Sequence, residues 1–254
     1  MKLLIKATPY FAALATAIFF VLTLNQPKIV YYYITIVLLF NFLAVYAICG
    51  QGFFSKLFWN QLPTSTIFLI SSFGFFLFIE KLSVQIIYLI FISLIYFLIL
   101  NNLYNFLHQT REYQSFALEN IFSYIHLLTF FLITSVAFGT LVFLAWPIWI
   151  LVIFAFLLGV ILFALTLKAM KFDLLKGKTI LVLMGVLSAE VFFVISRLPT
   201  SIIVNGLLAS LFYYLGSSLI KDYLHHSLSV KNVRLYLLVA FLIAFFTLAT
   251  ARWY

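Results

Sequence analysis

Stretches of about 20 mostly apolar residues, the length that carries a helix through about 30 Å of hydrocarbon at about 1.5 Å per residue, recur nine times along the 254-residue chain. They fall near residues 7–24, 29–49, 64–79, 83–100, 119–143, 147–168, 179–197, 201–219 and 235–251. The fifth and sixth come from one apolar run too long for a single crossing. That run is cut at Ala145-Trp146-Pro147, because proline cannot continue a helix from its interior but suits a first turn. The third span is the weakest, short and closely followed by Glu80-Lys81, yet it can form a tight hairpin with the fourth. The expected fold is all-α: a polytopic transmembrane helical bundle of about nine spans, with residues 1–254 forming a single integral membrane domain.

Composition agrees. The chain is 66% hydrophobic, 20% aromatic and 8% charged, with a mean hydropathy of +1.22, whereas soluble chains are about a quarter charged. Too little polar surface remains to coat a globule, which excludes a soluble enzyme, a disordered tail and a nucleic-acid-binding domain. The net charge of +9 arises from 15 Lys and Arg scattered singly between apolar runs. Scattered cations of this kind report membrane topology and not a phosphate-binding face. No nucleic-acid partner is expected; the lipid bilayer is, with other membrane-protein subunits as candidate partners.

Cytoplasmic loops retain positive residues. With the N-terminus inside, eleven of the 15 Lys and Arg lie on the inner side; Lys28, Lys81, Arg197 and Arg252 lie outside. This partition predicts an N-in, C-out chain with an odd number of crossings. The basic start and Ala15-Thr16-Ala17 resemble a signal peptide, but Phe19-Phe20-Val21-Leu22 follows. An uncleaved first span is expected.

An ionisable side chain in hydrocarbon costs about 2.5–3.5 kcal/mol on insertion scales, so each one asks for a reason. Glu190 is the clearest case, in the outer half of the seventh span. Two roles fit it: a proton or cation site, or a carboxyl that joins helices. Arg197, seven residues on, shares its face about 10 Å further along the axis, at the outer interface. His126 on the fifth span could shuttle protons, pair with Glu190, or be satisfied by Asn120, Ser123 and Tyr124. Asn205 completes the candidate polar site.

Residues Asn101 to Ser115 and Lys221 to Arg234 alternate in polarity at helical spacing and are expected to lie on the inner surface. Within the second, His225 and His226 point about 100° apart and have no accompanying carboxylate or thiolate cluster; they are not read as a metal site. Leu62-Pro63-Thr64-Ser65 recurs as Leu198-Pro199-Thr200-Ser201. Each is read as a helix opening, and their unlike flanks argue against an inverted repeat. Only nine glycines argue against close glycine-mediated crossings.

Several chemistries have no residues to support them. Six acidic residues, none paired at short spacing, do not build a magnesium site for lipid phosphates. Neither GxSxG nor HExxH occurs. His126 is the one histidine within a span and Cys49 the one cysteine, so neither bis-histidine haem nor a disulfide is expected. The chain is read as non-enzymatic, without metal or cofactor.

The residues Ala189-Glu190-Val191-Phe192-Phe193, Leu198-Pro199, Val204-Asn205-Gly206, Tyr213-Tyr214, Arg234-Leu235-Tyr236 and Thr250-Ala251-Arg252-Trp253 resemble an uncharacterised group of multi-span membrane proteins from small-genome candidate-phylum bacteria. The likeness covers residues 180–254 and implies a bacterial inner-membrane protein, with interest in Glu190, Pro199, Asn205 and Arg234. That group carries no activity to transfer. A non-catalytic scaffold or accessory membrane component is the leading expectation. A small transporter or channel using Glu190 is the alternative. The 32 Phe and 15 Tyr prompt a third, a subunit of an organelle-encoded respiratory complex in the mitochondrial inner membrane.

Overall fold

A computed structural model of the chain describes residues 2–50, 55–108, 117–170, 172, 174, 177–224 and 227–253, without the side chains of 2–4, 27, 56, 57 and 117–119. Arg111, Lys171, Lys176, His225, His226 and the side chain of Glu119 thus lie outside the described residues.

Among the described residues there are nine α-helices and no strand: α1 Lys2–Asn25, α2 Val30–Cys49, α3 Lys56–Phe76, α4 Leu82–His108, α5 Ala117–Phe143, α6 Ile148–Ala169, α7 Lys178–Ile195, α8 Ile202–Leu224 and α9 Val230–Thr250. All but α3 are long and apolar enough to cross a membrane. The local stops are chemical. α2 ends on Gly50, whose left-handed backbone (φ 60°) lets its N–H reach the Tyr46 carbonyl, a conformation open to glycine without a Cβ penalty. Between α5 and α6, Ala145 takes a positive φ of 49°, and Pro147 stands at the N-cap of α6. The break expected at Ala145-Trp146-Pro147 is therefore where the chain reverses.

Two helix limits expected from the sequence change. α3 begins at Lys56, eight residues before the span read from hydropathy, because the Ser55 hydroxyl caps the Phe58 N–H at 3.2 Å. Pro63 consequently sits inside α3 while Pro199 lies in the turn before α8, so the two Leu-Pro-Thr-Ser copies do not both open helices. Residues 101–108 are also not a separate surface helix. No breaker interrupts α4, Leu100 and Leu103 are buried, and His108 Nε2 meets the Ile48 carbonyl at 2.8 Å.

The chain divides into two compact units, Met1–Phe122 and Ser123–Tyr254. In the first, α1 packs on α2 and α4, and α3 packs on α2 and α4. Phe20 of α1 stacks on Phe73 of α3 at 4.0 Å between ring centroids and meets Phe76 edge-on at 5.1 Å. Tyr88 of α4 donates to the Ser72 carbonyl at 3.0 Å. α3 is the least apolar helix of this unit and among its most enclosed: Thr64, Ser65, Ser71 and Ser72 are all buried. Ser71 and Ser72 return their hydroxyls to the Phe68 carbonyl, which satisfies them within the helix.

In the second unit the most extensive pairing is α6 with α7. It is made through small residues, contrary to what the glycine count suggests. A Cβ on Gly159 would run into the Ser188 side chain and lie 3.1 Å from the Met184 carbonyl, and one on Gly185 would run into Val160 and Phe156. Gly206 of α8 presses in the same way on Ser135 and the Phe131 carbonyl of α5. A few glycines at the right positions suffice, because close approach depends on where a side chain is missing. α9 packs on α8 and buries Ala240. Its hairpin with α8 is clamped at one end, where Asp222 accepts from Asn232 Nδ2 and from the Tyr236 hydroxyl, each at 3.1 Å.

Candidate intramembrane polar site

The four candidate residues all belong to the second unit, and the structure gives them three different settings. His126 of α5 is fully enclosed. Its Nδ1 lies 3.0 Å from Thr166 Oγ1 of α6, which lies 2.7 Å from the Tyr213 hydroxyl of α8. Thr166 also donates to the Leu162 carbonyl one turn back at 2.9 Å. Thr166 Oγ1 thus lies within hydrogen-bond distance of His126 Nδ1, the Tyr213 hydroxyl and the Leu162 carbonyl, and the Tyr213 hydroxyl also reaches that carbonyl at 3.3 Å. Three helices are thereby joined through one hydroxyl. Phe130 and Phe163 close over Tyr213 at 4.9 and 4.5 Å between ring centroids, and His126, Thr166 and Tyr213 are all buried.

Asn205 is buried at the first turn of α8, where Thr200 Oγ1 donates to its Oδ1 at 2.5 Å. It fastens the Pro199 turn to the helix that follows, a local role. Glu190 stands apart. Helix α7 turns Gly185, Ser188 and Phe192 inward, with Phe192 stacked on Phe138 of α5 at 4.4 Å. Two residues from both Ser188 and Phe192, a rotation of about 200° at 3.6 residues per turn, Glu190 is exposed on the opposite face. Among the described residues it has no hydrogen-bond or ion-pair partner. Arg197, also exposed, holds its guanidinium 5.0 Å from the centre of the Phe193 ring, a cation–π contact on its own helix.

No hydrogen bond or ion pair among the described residues joins any of the four to another. Glu190 is neither sealed among side chains nor set in an internal cluster with His126. Tyr124, one of the partners expected for His126, points outward at 72% exposure. Thr166 was not singled out by sequence reading, and Tyr213 entered it only through the resemblance, not as a site residue. A hydroxyl inside the otherwise apolar run Val160–Leu167 was the visible signal; its pairing with residues 40 and 47 positions away was not. Among the described residues no group of three His, Cys, Asp or Glu converges to hold a metal.

An all-helical chain with eight helices able to cross a bilayer is an integral, multi-pass membrane protein. Compared with known protein families, with curated proteins and with solved structures, it matches none.

Proposed function

We propose that the chain is a non-catalytic component of a bacterial inner-membrane assembly, held N-in and C-out, with α7 as the face it offers to other membrane subunits. The supporting observation is the outward placement of Glu190. A carboxyl that served an internal ion path would be turned into the bundle, where His126, Thr166 and Tyr213 instead satisfy one another. A carboxyl kept on the outer face of a spanning helix costs free energy in lipid, and a neighbouring protein that accepts it removes that cost. The orientation rests on the charge partition together with α3 crossing as a polar-inside helix.

Native mass spectrometry of the full chain released from membranes in mild detergent tests the proposal. The expected result is a complex of defined stoichiometry heavier than the 29.3 kDa chain, which Glu190→Val dissociates. A lone chain, with proton or cation flux in reconstituted vesicles that Glu190→Gln abolishes, would establish the transporter alternative in its place.

A further inference from the structure

The second unit gathers cations at one end. Helices α6, α7, α8 and α9 pack in succession, so the α6–α7 and α8–α9 turns face the same way. Lys168 and Lys178 flank the first turn, and Lys231 and Arg234 follow the second. All four are exposed, and none has an ion-pair partner among the described residues. Asp222 is the one carboxylate described at this end, and its partners are neutral donors. Asn232 Nδ2 and the Tyr236 hydroxyl each donate to Oδ2 at 3.1 Å, and the Ser227 hydroxyl donates to Oδ1 at 3.5 Å. The carboxylate thereby closes the α8–α9 hairpin without an ion pair to Lys231 or Arg234. Beside these cations the hairpin exposes large apolar groups, Tyr223, Leu228 and Val230.

We infer that this end of the second unit binds anionic phospholipid, with Lys231 and Arg234 holding the headgroup phosphate and α9 carrying the acyl chains. The inference is independent of what covers α7. Its cations stand where spanning helices end: Lys178 is the first residue of α7, and Lys231 and Arg234 lie in the first two turns of α9. That is the depth at which headgroup phosphates lie, and clustered Lys and Arg beside a membrane helix attract anionic lipid. Arginine adds a planar fork that meets two phosphate oxygens at once. The apolar neighbours decide between a lipid and a polyanion in solution. A soluble polyanion would cover the charges and leave Tyr223, Leu228 and Val230 in water. The headgroup layer accepts both, with phosphates against the cations and the acyl boundary against the apolar groups. Beyond Arg234, α9 buries Ala240 and exposes Leu238, Phe241 and Phe245, an apolar surface continuous with the charged end along which the chains of the same lipid can lie.

The test titrates phosphatidylglycerol and phosphatidylcholine with the same acyl chains into micelles of the full chain and counts bound lipid by native mass spectrometry. Phosphatidylglycerol should bind more tightly than phosphatidylcholine. Lys231→Gln combined with Arg234→Gln should weaken phosphatidylglycerol binding by roughly 5–30-fold, about fivefold for each cation lost, and leave phosphatidylcholine binding unchanged. Lys28→Gln combined with Lys81→Gln removes the same charge from two exposed cations of the first unit and should alter neither. Arg234→Lys, which keeps the charge, should retain most of the affinity. All the replaced side chains are exposed, so the variants fold as the parent does, and an unchanged melting curve checks this. Equal binding of the two lipids, or equal losses from the two double variants, overturns the inference. Displacement of phosphatidylglycerol by inorganic phosphate at comparable concentration overturns it too, in favour of a free-anion site.

Discussion

Each of the two units joins three helices through a hydrogen-bonded hub, and the hubs are built from different chemistry. In Met1–Phe122, Asn41 of α2 donates to Thr66 of α3 at 3.0 Å and accepts from Tyr96 of α4 at 3.1 Å. In Ser123–Tyr254, Thr166 of α6 takes the equivalent place between His126 of α5 and Tyr213 of α8. An amide bridges two partners with separate atoms, whereas a hydroxyl loads three partners onto one oxygen. The units also differ in where they put what lipid tolerates least. The first encloses its least apolar helix, α3, and the second leaves Glu190 on its outside. Hydropathy measures how much polarity a helix carries, but only packing decides which way that polarity faces.

The most decisive way to break this comparison is to ask whether α3 crosses. If its buried serines and threonines make it a spanning helix despite its composition, phosphatase fusions at the C-terminus should be active and fluorescent-protein fusions there dark, with the reverse pattern at the N-terminus. Identical signals at both ends would remove α3 from the bilayer. Next in size, Gly206→Val should lower the midpoint of thermal unfolding in detergent by roughly 2–12 °C. The cost of overpacking is about 1–3 kcal/mol, and the added carbons meet the fixed Phe131 carbonyl at 3.2 Å or less. The hubs sharpen the contrast more finely. Interhelical hydrogen bonds in membranes are worth about 0.6 kcal/mol each and at most about 1.7, so Thr166→Val, which removes several, should exceed Thr66→Val, which removes one from Asn41. Denaturation in mixed micelles resolves the difference, and equal losses would show that the hydroxyl hub is no more connected than the amide. Smallest of all, Glu190→Gln should leave the melting of the isolated chain unchanged, because no partner within its unit is lost; a clear destabilisation would mean that the carboxyl is bonded after all.

Helix number and most boundaries were legible because length and breakers are local properties: Gly50 stops α2, and Ala145-Trp146-Pro147 separates α5 from α6. The start of α3 was not, since Pro63-Thr64-Ser65 reads as a helix opening until Ser55 is seen to cap the helix eight residues earlier and Thr64 and Ser65 are seen to be buried. Glu190 and His126 were legible as residues needing an explanation. Their surroundings were not, because the facing of a uniformly apolar helix has almost no signature in its own sequence; the inward side of α7 is marked by Gly185 and Ser188 only once α6 is known to lie there. The hub partners of His126 come from two other helices, a relation that spacing along one chain does not encode.

The reversal at Ala145 bears on how the protein is made. With only residues 144–147 between α5 and α6, the end of the first helix and the start of the second are held close together, so joint entry of the two into the bilayer is the expected outcome, checked by glycosylation mapping of truncated chains. Ala145→Gly would ease the left-handed corner, and lengthening it would uncouple the two insertions.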